Sequence, residues 1–221
     1  STSTTSIDAS TGATFISHLP IISPSGGYNI IERRGKVEGV ERWTFGNLYV
    51  VTEDLAIQDD ATLFIEPGVI VKLIGRSTQL YVNGTLQAEG TAENAIVFTS
   101  LHDDSVGGDT DQDGGAEAPL PGDWDSVYFR DQSQDGQSSM IFVEFRYGGG
   151  GEGGPVYLEN ASPTLQSLAM GKNNSNGIHL AATTWGSNYW KTVGTPHIIL
   201  DDLTIDERAT ITIGPGVVIK L

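Results

Sequence analysis

Apolar residues in this chain come in short β-branched or alternating runs, each closed by Gly, Pro, Asn or Asp. The runs fall at 48–51, 61–65, 69–71, 80–82, 96–98, 127–129, 140–145, 156–158, 178–180, 198–200, 211–213 and 217–219. Runs of that length with that punctuation read as strands and turns. No stretch of a dozen residues repeats apolar side chains at spacings of three and four, so the expected class is all-β.

An internal repeat narrows the architecture. Residues 47–73 align without a gap on residues 195–221. Leu55, Ile57, Ala61, Thr62, Ile65, Pro67, Gly68, Val69, Lys72 and Leu73 return as Leu203, Ile205, Ala209, Thr210, Ile213, Pro215, Gly216, Val217, Lys220 and Leu221. Self-similarity of this kind signals a stacked array, in which one unit cannot bury its inner face alone and neighbours share a continuous core.

The run from Ala61 through Val69, followed by Lys72, resembles the right-handed parallel β-helix repeats of large secreted and cell-surface bacterial and archaeal proteins. The segments at 80–86, 98–124, 156–164 and 174–178 look like further coils of the same kind. The resemblance implies a solenoid over residues 46–221 and leaves function open, since adhesins, enzymes and structural proteins share such coils. Residues 1–45 depart from the pattern and are expected to form an N-terminal cap or an extended arm. They begin with a Ser/Thr tract, pass through Pro20 and Pro24, and carry Arg33, Arg34 and Lys36 as a small basic patch.

Composition excludes several functions. The 221 residues hold 28 acids against 12 bases, a net charge of -16, and no cysteine. A nucleic-acid partner is not expected without a basic face, and a disulfide framework, a thiolate metal site and a cysteine nucleophile are ruled out. No apolar run is long enough to span a membrane. The chain starts at Ser1 without a tag, which suggests an exported, extracellular protein whose signal peptide is gone. It stops at Leu221 within its second repeat, on an apolar strand. The expectation there is an open edge built by Ile211, Ile213, Val217, Ile219 and Leu221, either continued in a longer protein or covered by another copy through β-strand addition.

The densest acid lies within residues 101–124, where 109–114 reads D-T-D-Q-D-G. Alternating carboxylates let one loop aim hard oxygens at a single centre, and calcium takes six to eight of them. Asp103, Asp104, Asp109, Asp111 and Asp113 fall within eleven positions and would repel one another without a cation. The twelfth position from Asp109 is Leu120, so the bidentate carboxylate of a helix–loop–helix calcium site is missing. Glu117, Asp123, Asp103 or Asp104 would have to substitute. His102 adjoins the loop and could reach an ion, with a turn histidine as the favoured reading. In the resembling family such loops lead into Pro-Gly-Asp-Trp, here residues 121–124, which implies a calcium-stabilised excursion from a coil.

Other chemistry is thin. The glycine-rich run at 148–154 lacks the Lys-Ser/Thr of a phosphate loop, and no G-x-S-x-G occurs. Asp123, Asp125 and Glu144 are the acids a polysaccharide hydrolase would use, and Arg130 and Arg146 the bases for a lyase. Trp185, Tyr189 and Trp190 offer either a sugar-stacking surface or simple packing. Asn83 and Asn173 fit the glycan acceptor pattern, with a turn-forming role as the plain alternative. The sequence therefore points to a non-catalytic, calcium-stabilised structural subunit that stacks head to tail into a filament or surface array. An adhesin or polysaccharide-binding module of a longer surface protein is the alternative, and a polysaccharide lyase or hydrolase the second.

Overall fold

The computed structural model describes residues 27–151, 153–180, 183–184, 187–190, 193–199 and 203–221. It is all-β, and among the described residues there is no helix. The strands in chain order are β1 (Asn29–Val37), β2 (Val40–Trp43), β3 (Asn47–Ile57), β4 (Thr62–Ile65), β5 (Ile70–Leu73), β6 (Leu80–Val82) and β7 (Thr85–Glu89). They continue with β8 (Ile96–Ser100), β9 (Val127–Phe129), β10 (Ser139–Ile141), β11 (Val143–Arg146), β12 (Val156–Leu158), β13 (Thr164–Gln166) and β14 (Ala169–Gly171). The last are β15 (Ile178–Leu180), β16 (Thr183–Thr184), β17 (Ser187–Trp190), β18 (His197–Ile199), β19 (Thr204–Ile205), β20 (Thr210–Ile213) and β21 (Ile219–Lys220).

All described pairings are parallel. Strand β3 is long enough to belong to two ladders. Its first half pairs with β5, and the ladder runs on through β8 and β11 to β14. Its second half pairs with β6, and that ladder runs through β9, β12, β15 and β18 to β21. A separate sheet stacks β2, β4, β7, β10 and β13.

Register explains the core. Successive side chains point to opposite faces of a strand, so one face of each ladder is a column of apolar residues. Leu55, Leu80, Val127, Val156 and Ile178 form one such column, and every member is fully buried. In the other ladder Phe98 stacks on Phe145 at 5.3 Å, with Trp124 at 6.5 Å from each ring.

The repeat survives at the level of register. His197 beside Ile219 and Ile198 beside Lys220 reproduce Tyr49 beside Val71 and Val50 beside Lys72. Two details differ from the sequence expectation. The run at 140–145 is two strands, not one, broken at Phe142 with φ 48°. Met140, Val143 and Phe145 all face the core, and a three-residue step between inward positions cannot be one strand. The ladders also begin before residue 46, because β1 pairs with β3 and β2 with β4. The charges of Arg33, Arg34 and Lys36 broke the apolar alternation there and hid the strand. Residues 1–26, with the Ser/Thr tract, lie outside the described residues.

Two histidines are built into this stack. His197 sits in register with Ile178 and Ile219 and stacks on Trp190 at 5.2 Å. His179 is buried beside Ser175, whose Oγ lies 3.0 Å from its Nε2. Burial pushes both imidazoles down from 6.5 to about 4. The fold thus holds them neutral while the unfolded chain takes up protons below about pH 6.5. Stability is full above that pH and falls as pH drops toward 4, by up to roughly 3 kcal/mol per imidazole. Urea denaturation at pH 7 and pH 4.5 is expected to show that loss, and His197→Phe, which keeps a ring against Trp190, to remove about half of it.

Candidate metal centre

The segment between β8 and β9 folds back onto the sheet it leaves. Leu48, Val50 and Ile70 point away from the main core and form a second apolar patch, which Leu101 and Val106 close over. The chain passes so near that a side-chain carbon on Gly107 would lie 2.5 Å from Leu48 Cδ1, and its φ of +74° is the left-handed region that favours glycine. Beside this patch Lys72 is fully buried, and its Nζ donates to the Gly108 carbonyl at 2.8 Å. The sequence marked Lys72 only as a repeated position and as part of the β-helix resemblance. The missed signal is the lysine inside the strand opposite an acidic loop.

Two aspartates fasten the loop. Asp103 is almost wholly buried. It accepts from Thr99 Oγ1 at 2.6 Å and Ser105 Oγ at 2.5 Å, with the Arg146 guanidinium 3.7 Å away. Asp123 accepts from Ser100 Oγ at 2.7 Å and the Leu120 amide at 2.9 Å. Their carboxylates serve the loop's own bonds, and neither joins the groups able to hold an ion.

Those groups share one residue. Asp104, Asp109 and Asp111 offer oxygens within 4.8 Å of one another, and His102, Asp111 and Asp113 form an adjoining set. In the first set, Oδ1 of each of the three aspartates is buried and has no hydrogen-bond partner. A buried anionic oxygen without a donor is costly, and three such aspartates in one cluster fit a hard divalent cation. Asp111 spends its other oxygen on His102 Nδ1 at 2.8 Å, and His102 Nε2 lies 3.4 Å from Glu117. Asp113 accepts from the amides of Gly115, Ala116 and Glu117, and the Glu117 bond leads in holding its carboxyl below the usual range.

Charge is unbalanced at this spot. Loss of solvation, then the neighbouring Asp109, pushes the Asp104 carboxyl up. Burial pushes the Lys72 ammonium down, while Asp104, Asp103, Asp111 and Asp109 oppose that shift. Lys72 supplies one positive charge under a cluster carrying several negative ones.

The remaining candidates scatter. Trp190 is buried against His197. Trp185 and the side chain of Tyr189 lie outside the described residues. Asn173 is also buried, its amide donating to the Phe145 carbonyl at 3.0 Å and its oxygen accepting from Gly148 at 2.7 Å. It is a turn residue with no room for a glycan, whereas Asn83 is partly exposed. Arg146 is bonded to Glu144 at 2.7 Å, and Arg130 lies 4.1 Å above the Tyr81 ring.

No protein-family model, curated protein or solved structure matches the chain. Lys72→Met should destabilise the cation-free protein by about 2–3 kcal/mol, since a buried carbonyl loses a charged donor. Lys220→Met, the exposed repeat counterpart, should cost less than about 0.5 kcal/mol. Urea denaturation in EDTA measures both.

Proposed function

We propose that this chain is a non-catalytic extracellular structural protein: a right-handed parallel β-helix, clamped by calcium, that stacks head to tail on its own copies. The parallel ladders visited in turn by successive strands support the β-helix reading. The observation that carries the clamp is the meeting of Asp104, Asp109 and Asp111, which bring carboxylate oxygens within 4.8 Å of one another and each keep a buried Oδ1 without a hydrogen-bond partner. All-oxygen donors favour calcium over softer metals. A site a hundredfold tighter than the surrounding calcium concentration adds about 2.7 kcal/mol, which suits a loop clamp.

The self-stacking part of the proposal is a reading of exposed apolar side chains in the second repeat. Among the described residues β19, β20 and β21 each pair on one side only, and Ile205, Ile213, Val218, Ile219 and Leu221 are exposed. Strand β21 repeats the register of β5, which inside the chain accepts β8 as its next parallel partner. The occupant is β1 of a second copy, which among the described residues pairs with β3 alone.

Calcium is expected to raise the melting temperature of the wild-type chain and to leave Asp104→Asn/Asp111→Asn unchanged. Equal melts with and without calcium would remove the clamp. Negative-stain images with calcium should show filaments. Monodisperse particles at every concentration would remove the assembly and leave the clamp standing.

A further inference from the structure

The outward face of the ladder through β6, β9 and β12 carries a feature that neither the cation nor the stacking edge uses. Tyr81, Tyr128 and Tyr157 occupy the same position on three successive rungs. The residues flanking each one point into the core, so all three rings stand on the surface side, partly exposed. Their centroids lie 5.7 Å and 4.8 Å apart, tilted rather than stacked. Arg130 borders the row, its guanidinium 4.1 Å from the Tyr81 ring and 5.7 Å from that of Tyr128.

On the rings' other flank is a recess of about 180 Å³, walled by Gln79, Asp125, Tyr128, Tyr157, Gly153 and Gly154. Asp125 is held there by Gln79 Nε2 at 2.6 Å and by the Gly151 amide at 2.9 Å, and burial pushes its carboxyl up. The glycines shape the wall. A side-chain carbon on Gly153 would lie 3.2 Å from the Tyr157 ring, and one on Gly154 2.5 Å from His179. The glycine run that fails as a phosphate loop thus lies flat against the sheet.

We propose that this row and recess form a binding site for a neutral polysaccharide. A sugar ring has an apolar C–H face that packs on an aromatic ring and a rim of hydroxyls that needs donors and acceptors at its edge. The tyrosines supply the first, and Asp125 and Gln79 the second. Successive rungs lie about 4.8 Å apart, so the row is a track for a linear chain rather than a pocket for one small molecule. Charge selects against an acidic glycan, because Asp54, Asp125 and Glu159 surround the rings and Arg130 is already engaged by them. The site is independent of the clamp and stands or falls without it.

The test is calorimetric titration of the whole chain with cellohexaose and mannohexaose, and with hexagalacturonate as the anionic control, in calcium and in EDTA. At least one neutral hexasaccharide should bind in both buffers. Tyr128→Ala, Tyr157→Ala and Asp125→Asn should each weaken it at least tenfold. If an alanine variant melts early, ring-proton shifts of the wild type decide: perturbation at Tyr81, Tyr128 and Tyr157 supports the site. The proposal is overturned if neither neutral probe binds at millimolar concentration, if only hexagalacturonate binds, or if binding ignores these substitutions.

Discussion

Parallel pairing in register is the constraint on which everything else in this molecule depends. Because each strand meets the next in parallel, a residue's neighbours above and below occupy the same position on the pleat. Any chemistry placed on one rung is therefore repeated or answered on the next. Facing inward, the rule gives the apolar column from Leu55 to Ile178. Facing outward, it gives the tyrosine row, and it brings Lys72 level with Thr99, whose hydroxyl fastens Asp103.

The acidic loop follows from the same rule. Outward positions on β3 and β5 are apolar at Leu48, Val50 and Ile70, and an exposed patch of that kind needs a cover. The segment after β8 supplies it with Leu101 and Val106. Its aspartates are drawn together because that cover is tight: Gly107 rests on Leu48, and Lys72 ties down Gly108. Hydrophobic burial holds the loop in place and electrostatics resists it, a conflict that the proposed divalent cation would relieve.

Much of this was legible in the sequence, and the failures have physical causes. The all-β class, most strands and the repeat could be read because inward positions alternate and turns carry Gly, Pro, Asn or Asp. The corner at Phe142 was hidden because the residues on both sides are apolar; only the three-residue step from Met140 to Val143 betrays it. Strands β1 and β2 were hidden by charges on a partly exposed face. The acidic loop was visible, but which carboxylates converge was not. Asp103 and Asp123 turn inward to Thr99 and Ser100, and that choice depends on a fold-back set by residues far away in the chain. The tyrosine row was invisible because Tyr81, Tyr128 and Tyr157 meet only through register.

Residues 101–124 form a cover seated on Lys72, and the proposed calcium would lock it at Asp104, Asp109 and Asp111. Amide hydrogen exchange, residue by residue, with calcium and with EDTA, tests it most directly. With calcium, exchange at residues 103–117 is expected to slow at least tenfold, with little change in the core strands and no response in Asp109→Asn. Exchange that is the same in both buffers, or slowed equally throughout the chain, would contradict it.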